Sequence, residues 1–366
     1  MTTMTPAPVK APTPSRLGSL ASRSRKRLEG TGWQRLALVT GAYLASLIVF
    51  GAIAAQQGAN PFTVLHAMLS SSIFGGGSLD QTLLHAIPIT LAALAVAIPA
   101  RAGLVNVGGE GQLIVGAIAA TGIGVDIGAS VPGPVSWIAM IAGGALAGAV
   151  WAGLAGLLRI RLGVNEAVTT LLLNFVANDI LLYLTYQPWK DPNGLGQPES
   201  KPLAIQAQLP LIFGSQLNIG IIITVVLVLV VWWAVKHTGW GFAIKVTGGN
   251  QEAARRSGLK VRSLMLSAML AGGALAGIGG ALNLAGVETQ LRPDITLTFG
   301  YVAFLASFLA RHDPLKTALA ALLFSAIALS GNGLQLSTGL DGTITDILLG
   351  LIVLAPLVMT KREGAT

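Results

Sequence analysis

The ionisable and amide side chains inside the apolar runs of this sequence are few, and Glu110 in Asn106-Val-Gly-Gly-Glu-Gly-Gln112 stands out first. A carboxylate there is costly against lipid, so it faces protein, water or the membrane boundary. The glycines around it let backbone approach backbone or bend sharply. A helix beginning at this point presents free N–H groups to whatever precedes it. Asn106, Glu110 and Gln112 are therefore candidates for a polar substrate pathway. The competing reading has Asn106 capping a helix while Glu110 satisfies neighbouring backbone. Asn174 and Asn178, four apart and on one helix face, either line that pathway or bond between helices. Phe299, Tyr301, Phe304 and Phe308 recur at helical spacing. Phe299 and Tyr301 are stacking candidates for a base or sugar, with helix packing the simpler use. Asn165 and Glu166 read as an N-cap and its dipole partner. The four histidines are scattered and form no ligand set.

A second group of polar residues lies in Gly239–Leu259, between two long apolar runs. It predicts a short helix with both ends marked. Asn250 is the N-cap, Glu252 sits in the first turn, Arg255 and Arg256 in the last, and Gly258 takes the left-handed position. Glu252 precedes the two arginines by three and four residues, the favourable order for ion pairs. The product is a self-capped rod about 10 Å long. It is either a solvated loop helix or a knob that pushes into another protein.

The elements that position these residues follow from composition. Hydrophobic residues make up 53% and charged ones 10%, where soluble domains carry about 25% charge. The chain is predicted to be an all-α polytopic membrane protein, with room for about ten transmembrane helices. The spans read as 36–55, 82–100, 104–123, 135–158, 166–186, 217–235, 264–285, 296–310, 315–329 and 343–359, and the eighth and ninth are short enough for one to be a half-helix. Basic flank, apolar core and Ala52-Ile-Ala54 also give the first run a signal-peptide look, but it is long enough to cross uncleaved. With the N-terminus inside, all but Lys190, Lys201 and Arg292 of the 23 basic residues fall on one side. That asymmetry places both termini and the rod in the cytoplasm. The net charge of +8 thus reports membrane orientation, not nucleic acid. Residues 1–35 read as a disordered basic tail, 36–360 as the permease domain and 361–366 as a short tail. The segment 187–216, rich in proline, is an irregular extracytoplasmic loop. Asp179-Ile-Leu-Leu182 recurs as Asp346-Ile-Leu-Leu349 five spans later, a hint of an inverted repeat.

No cysteine is present, which excludes disulfides, Cys-ligated metals and thiol catalysis. No phosphate loop of the Gly-x-x-x-x-Gly-Lys-Ser/Thr type occurs, nor a His-Glu-x-x-His or Gly-x-Ser-x-Gly pattern.

Asn106–Gln112, Gly163-Val-Asn-Glu166 with Leu173-Asn174, and Gly248–Gly258 resemble the permease subunits of ATP-binding cassette (ABC) importers for nucleosides and simple sugars, within the branched-chain amino acid and ribose permease group. The resemblance covers about Thr82 to Pro356. Gly249-Asn250-Gln251 stands where that group usually shows a polar residue, Asn and Pro. The resemblance implies that Gly248, Asn250, Glu252, Ala253, Ala254, Arg255, Arg256, Gly258 and Leu259 form the coupling segment, seated in a groove of a separate ATPase. It implies a second permease chain, identical or different, an extracytoplasmic substrate-binding protein, and a plasma-membrane location. No cofactor is expected in this chain, ATP being used by the partner, and no catalytic residue. Two other classes remain: an ion-coupled secondary transporter with Glu110 and Asp179 as ligands, and a membrane enzyme, for which no catalytic constellation is found.

Overall fold

The computed structural model describes residues 32–360, apart from 195, 213 and 297. The two tails read from the sequence fall outside that range, except that the first helix already starts at Gly32. Helix α1 (Gly32–Gln56) is followed after a sharp bend by α2 (Pro61–Leu69) and a π turn. Then come α3 (Ser78–Arg101), α4 (Gly109–Ile127), α5 (Gly133–Leu162), α6 (Glu166–Tyr186) and α7 (Gly220–His237). Two short helices, α8 (Gly239–Gly249) and α9 (Gln251–Arg256), lead into α10 (Val261–Asn283), which runs on as a π turn to Glu288. The chain ends with α11 (Phe299–Leu309), α12 (Pro314–Thr338) and α13 (Ile344–Thr360).

Among the described residues, seven helices are long and apolar enough to cross a membrane: α3, α4, α5, α6, α7, α10 and α12. An eighth crossing results if α1 and α2 are one span, although they meet at 112°. Reaching the ten crossings expected from the sequence requires α11 and α13, which are shorter. Three boundaries differ from the sequence reading. The third span starts at Gly109 instead of Leu104, the short helix near 300 has eleven residues, and the one after it runs a full 25. Residues 61–74, left without structure in the sequence reading, are helical.

Helices α3 and α10 form the centre. They pack on each other, α10 also packs on α4 and α5, and α3 on α11 and α12. Lipid tails are as apolar as leucine, so helices in a bilayer associate by close packing and not by burial from water. The α5–α10 seam shows how. Gly144 and Gly148 of α5 meet Gly273 and Gly277 of α10 backbone to backbone, and a Cβ at Gly277 would collide with the Gly144 carbonyl. Replacing Gly277→Ala is therefore expected to cost about 2 kcal/mol, the ordinary penalty for overpacking. Thermal unfolding in detergent measures it; an unchanged midpoint would show that the seam yields freely.

Candidate functional site

The polar cluster begins with a proline. Pro99 in α3 has no N–H to give, so the Ala95 carbonyl four residues earlier loses its helical partner. Asn106 supplies one: its Nδ2 donates to Ala95 O at 2.9 Å. To do so, the chain after Arg101 turns back along α3, climbing about 9 Å by the helical rise of six residues. This returning segment, 102–108, explains why the third span starts late. Its Leu104 and Val105 are apolar but not helical.

Helix α6 satisfies the returning backbone. Glu166, Thr170 and Asn174 lie four residues apart on its buried face. Glu166 Oε1 accepts from Val105 N at 3.2 Å, and Thr170 Oγ1 accepts from Val107 N at 3.1 Å. Asn174 donates to Val107 O and accepts from Gly111 N, capping α4 from a neighbouring helix. Asn106 and Gln112 exchange amide hydrogen bonds, and Asn106 Oδ1 also takes the Gly108 N–H. Arg159 pairs with Glu166 at 3.2 Å at the mouth of the segment. Asn165 is the N-cap read from sequence, accepting from Ala167 N at 2.9 Å.

A second segment approaches from the opposite end. After α10 the chain passes a left-handed Thr289 and reaches α11 at Phe299, where Thr298 is again left-handed. Asn283 of α10 ties this segment down by donating to Ile295 O at 2.9 Å. The starts of α4 and α11 then abut. A side chain at Gly300 would strike the Glu110 backbone, so only glycine permits the contact. Both helix starts carry partial positive charge. Glu110 answers both: it lies in the first turn of α4, and its carboxylate accepts from Gly300 N at 2.6 Å and from the Thr296 hydroxyl. The residue is only 8% exposed.

Of the pathway candidates, Asn106, Glu110, Gln112 and Asn174 thus meet in one buried network. Asn178 is half-buried beside it, and Phe299 is buried edge-on to His85 at 5.6 Å between centroids. Tyr301 is 36% exposed and points away from that pair's burial. Phe304 and Phe308 pack on each other, as the packing reading has it. Sequence reasoning missed Thr296 and Gly300, which nothing marks apart from the carboxylate nearly two hundred residues earlier.

The basic end holds the rod. Asn250 caps α9 by accepting from Ala253 N at 2.9 Å, Glu252 pairs with Arg255 at 2.6 Å and Arg256 at 3.0 Å, and Gly258 has φ +83°. Ala254 is buried, and the rest of α9 is exposed. Preceding it, α8 is a helix that the sequence reading did not separate from the loop. Thr238 caps α8, Trp240 Nε1 donates to Ser267 of α10 at 3.0 Å, and Gly248 lies directly against the Arg101 carbonyl. The rod is therefore seated on the end of α3 where the returning segment begins.

The same end carries an electrostatic clasp between α11 and α12. Arg101 Nε donates to His312 O at 3.1 Å, Ser307 Oγ and His312 Nδ1 lie 2.9 Å apart, and Lys236 approaches Asp313 at 3.5 Å. Burial, then the Arg101 charge, holds His312 below its ordinary value of 6.5. Burial alone would raise Asp313, but the Lys316 N–H and the Lys236 and Arg101 charges outweigh it and lower the carboxyl below 3.8. The signs agree. A depressed histidine costs stability as pH falls below the unfolded value toward the folded one, and a depressed carboxylate loses its contribution as pH falls through its folded value. Amide exchange over residues 306–316 is expected to quicken between about pH 7 and about pH 5.5, and His312→Gln should remove that step. A pH-independent exchange rate in this window would refute the assignment.

The chain matches the family described as the permease component of branched-chain amino acid transport systems over residues 78–357. It is 31% identical to a glucose ABC transporter permease protein of Haloferax volcanii, across 85% of this chain and 84% of that one. It is 27% identical to a guanosine ABC transporter permease protein of Bacillus subtilis, across 90% and 93%. A nucleoside ABC transporter permease protein of Lactococcus lactis is 25% identical across 87% and 88%.

Proposed function

This chain belongs to the family of permease components of branched-chain amino acid transport systems and is the membrane subunit of an ABC importer, and we propose that its cargo is a nucleoside or a simple sugar. The observation that carries the cargo class is its likeness, along most of both chains, to permeases named for glucose and for guanosine. In this reading the basic end is cytoplasmic, as the positive-inside rule requires. A separate ATPase there receives α9, uses the ATP and supplies the work; no cofactor resides in this chain. A second permease chain completes the pathway, and an extracytoplasmic binding protein delivers cargo to the opposite face of the plasma membrane.

The packing supports an inverted repeat of two five-helix halves. The contact of α3 with α12 matches that of α10 with α5, α4 with α6 matches α11 with α13, and α4 with α10 matches α11 with α3. The late-starting helices α4 and α11 occupy equivalent places, third and eighth. Each is reached by a segment entering from its own side, as in transporters built from inverted repeats.

An ion-coupled mechanism is disfavoured by Glu110 itself, whose two oxygens are committed to the start of α11. Uptake of labelled guanosine and glucose into vesicles carrying the complete system tests the reading. Uptake should follow ATP and survive an uncoupler. Uptake that survives ATP depletion and dies with the uncoupler would overturn it.

A further inference from the structure

The end of α4 opposite the rod borders a cavity of about 200 Å³ under the loop 187–216. Its wall is the Trp189 indole, held by a Trp189 N–H bond to Leu184 O at 2.9 Å and seated over Gly122 of α4. Asp126, Lys190 and Lys201 line the same space and make no ion pair with one another. Thr121 adds a hydroxyl at the rim.

We propose that this cavity is an outer subsite for a sugar ring, the part that a nucleoside and a simple sugar have in common. The chemistry selects it. A carboxylate that only accepts and two ammonium groups that only donate share one small space. A strongly charged ligand would meet its own sign there, whereas hydroxyls both donate and accept. The apolar C–H face of a pyranose or furanose suits the indole face, and an indole is a large apolar surface. The cavity also leads somewhere. Val115, Ala119, Gly122 and Asp126 follow one another on α4 at spacings of four and three, and they form a partly exposed stripe on a helix whose other faces are mostly buried. The stripe runs from the cavity toward the joint at Glu110, a ready track for the ring to follow.

This inference rests on the transport reading, so its test separates the two. The chain has no cysteine, and Val125→Cys places a single thiol in the cavity wall without touching a proposed ligand group. The full chain in nanodiscs is labelled with a membrane-impermeant maleimide, with D-ribose, D-glucose or guanosine as probes and mannitol as an acyclic control. At least one ring-bearing probe should slow labelling, and mannitol should not. Adding Trp189→Ala or Asp126→Asn should raise the half-protecting concentration about tenfold or more, given about 1–3 kcal/mol for stacking on an aromatic side chain. In the complete system without the thiol, Trp189→Ala should raise the half-saturating cargo concentration with maximal uptake within about twofold. Equal labelling with and without all probes, protection by mannitol, or indifference to both substitutions would overturn the subsite. Normal wild-type uptake beside such a result sinks the subsite alone; protection without uptake sinks the transport reading alone.

Discussion

Deleting Gln251–Ser257 is expected to reduce ATP-driven uptake to background and to abolish co-purification of the ATPase, while the protein still inserts and folds. The reason lies in how α9 is built. Its cap, ion pairs and left-handed glycine are all internal to residues 250–258, and only Ala254 is buried among the residues removed. Exposed residues of this kind contribute little to stability. The seat of α8 on Arg101 and the Trp240–Ser267 bond both lie outside the deletion. What is lost is the projecting surface, and with it the handle by which an ATPase moves the end of α3. Rigid packed helices then have nothing to transmit. Thermal unfolding in detergent should be nearly unchanged, and normal ATPase co-purification after the deletion would refute the coupling role.

Glu110→Ala should be the most damaging of the single substitutions considered. It strips a buried N–H at Gly300 and a buried hydroxyl at Thr296 of their acceptor, and it leaves two helix starts facing each other without counter-charge. The expected cost is about 3 kcal/mol, the range for losing hydrogen bonds to a charged group and stranding the donors. Glu110→Gln separates the causes. An amide oxygen accepts from Gly300, and its NH₂ donates to the Thr296 oxygen, so bonding survives while charge does not. That variant should lose about 1 kcal/mol, the scale of a helix-dipole interaction. Unfolding midpoints of the three proteins order the effects. If Glu110→Ala is as stable as the parent yet fails to transport, the carboxylate faces cargo and the structural assignment is wrong.

Much of the local chemistry was legible in the sequence because it is local. Asn165, Asn250 and Gly258 do what their types and positions require, since caps act within three residues of themselves. The late start of α4 was not legible. Leu104 and Val105 are apolar, and in a bilayer apolarity is nearly uniform, so it carries no period to separate helix from extended chain. Their conformation is fixed instead by Pro99, which frees a carbonyl for Asn106, and by Glu166 and Thr170, sixty residues away, which take the backbone N–H groups. Helix α8 was hidden for the opposite reason: its glycines at both ends and in the middle read as loop, while its packing on α3 and α10 makes them necessary. The reading of Glu110 as a backbone-satisfying group was available from cost alone, but its partners were not, because nothing in the sequence joins Glu110 to Thr296 and Gly300.

The account depends most on the side of the membrane where α9 projects. Arg255→Cys gives this cysteine-free chain one thiol at that site. A membrane-impermeant maleimide should leave it unmodified in intact cells and modify it in inverted vesicles; modification in intact cells would contradict a cytoplasmic coupling rod and the importer built on it.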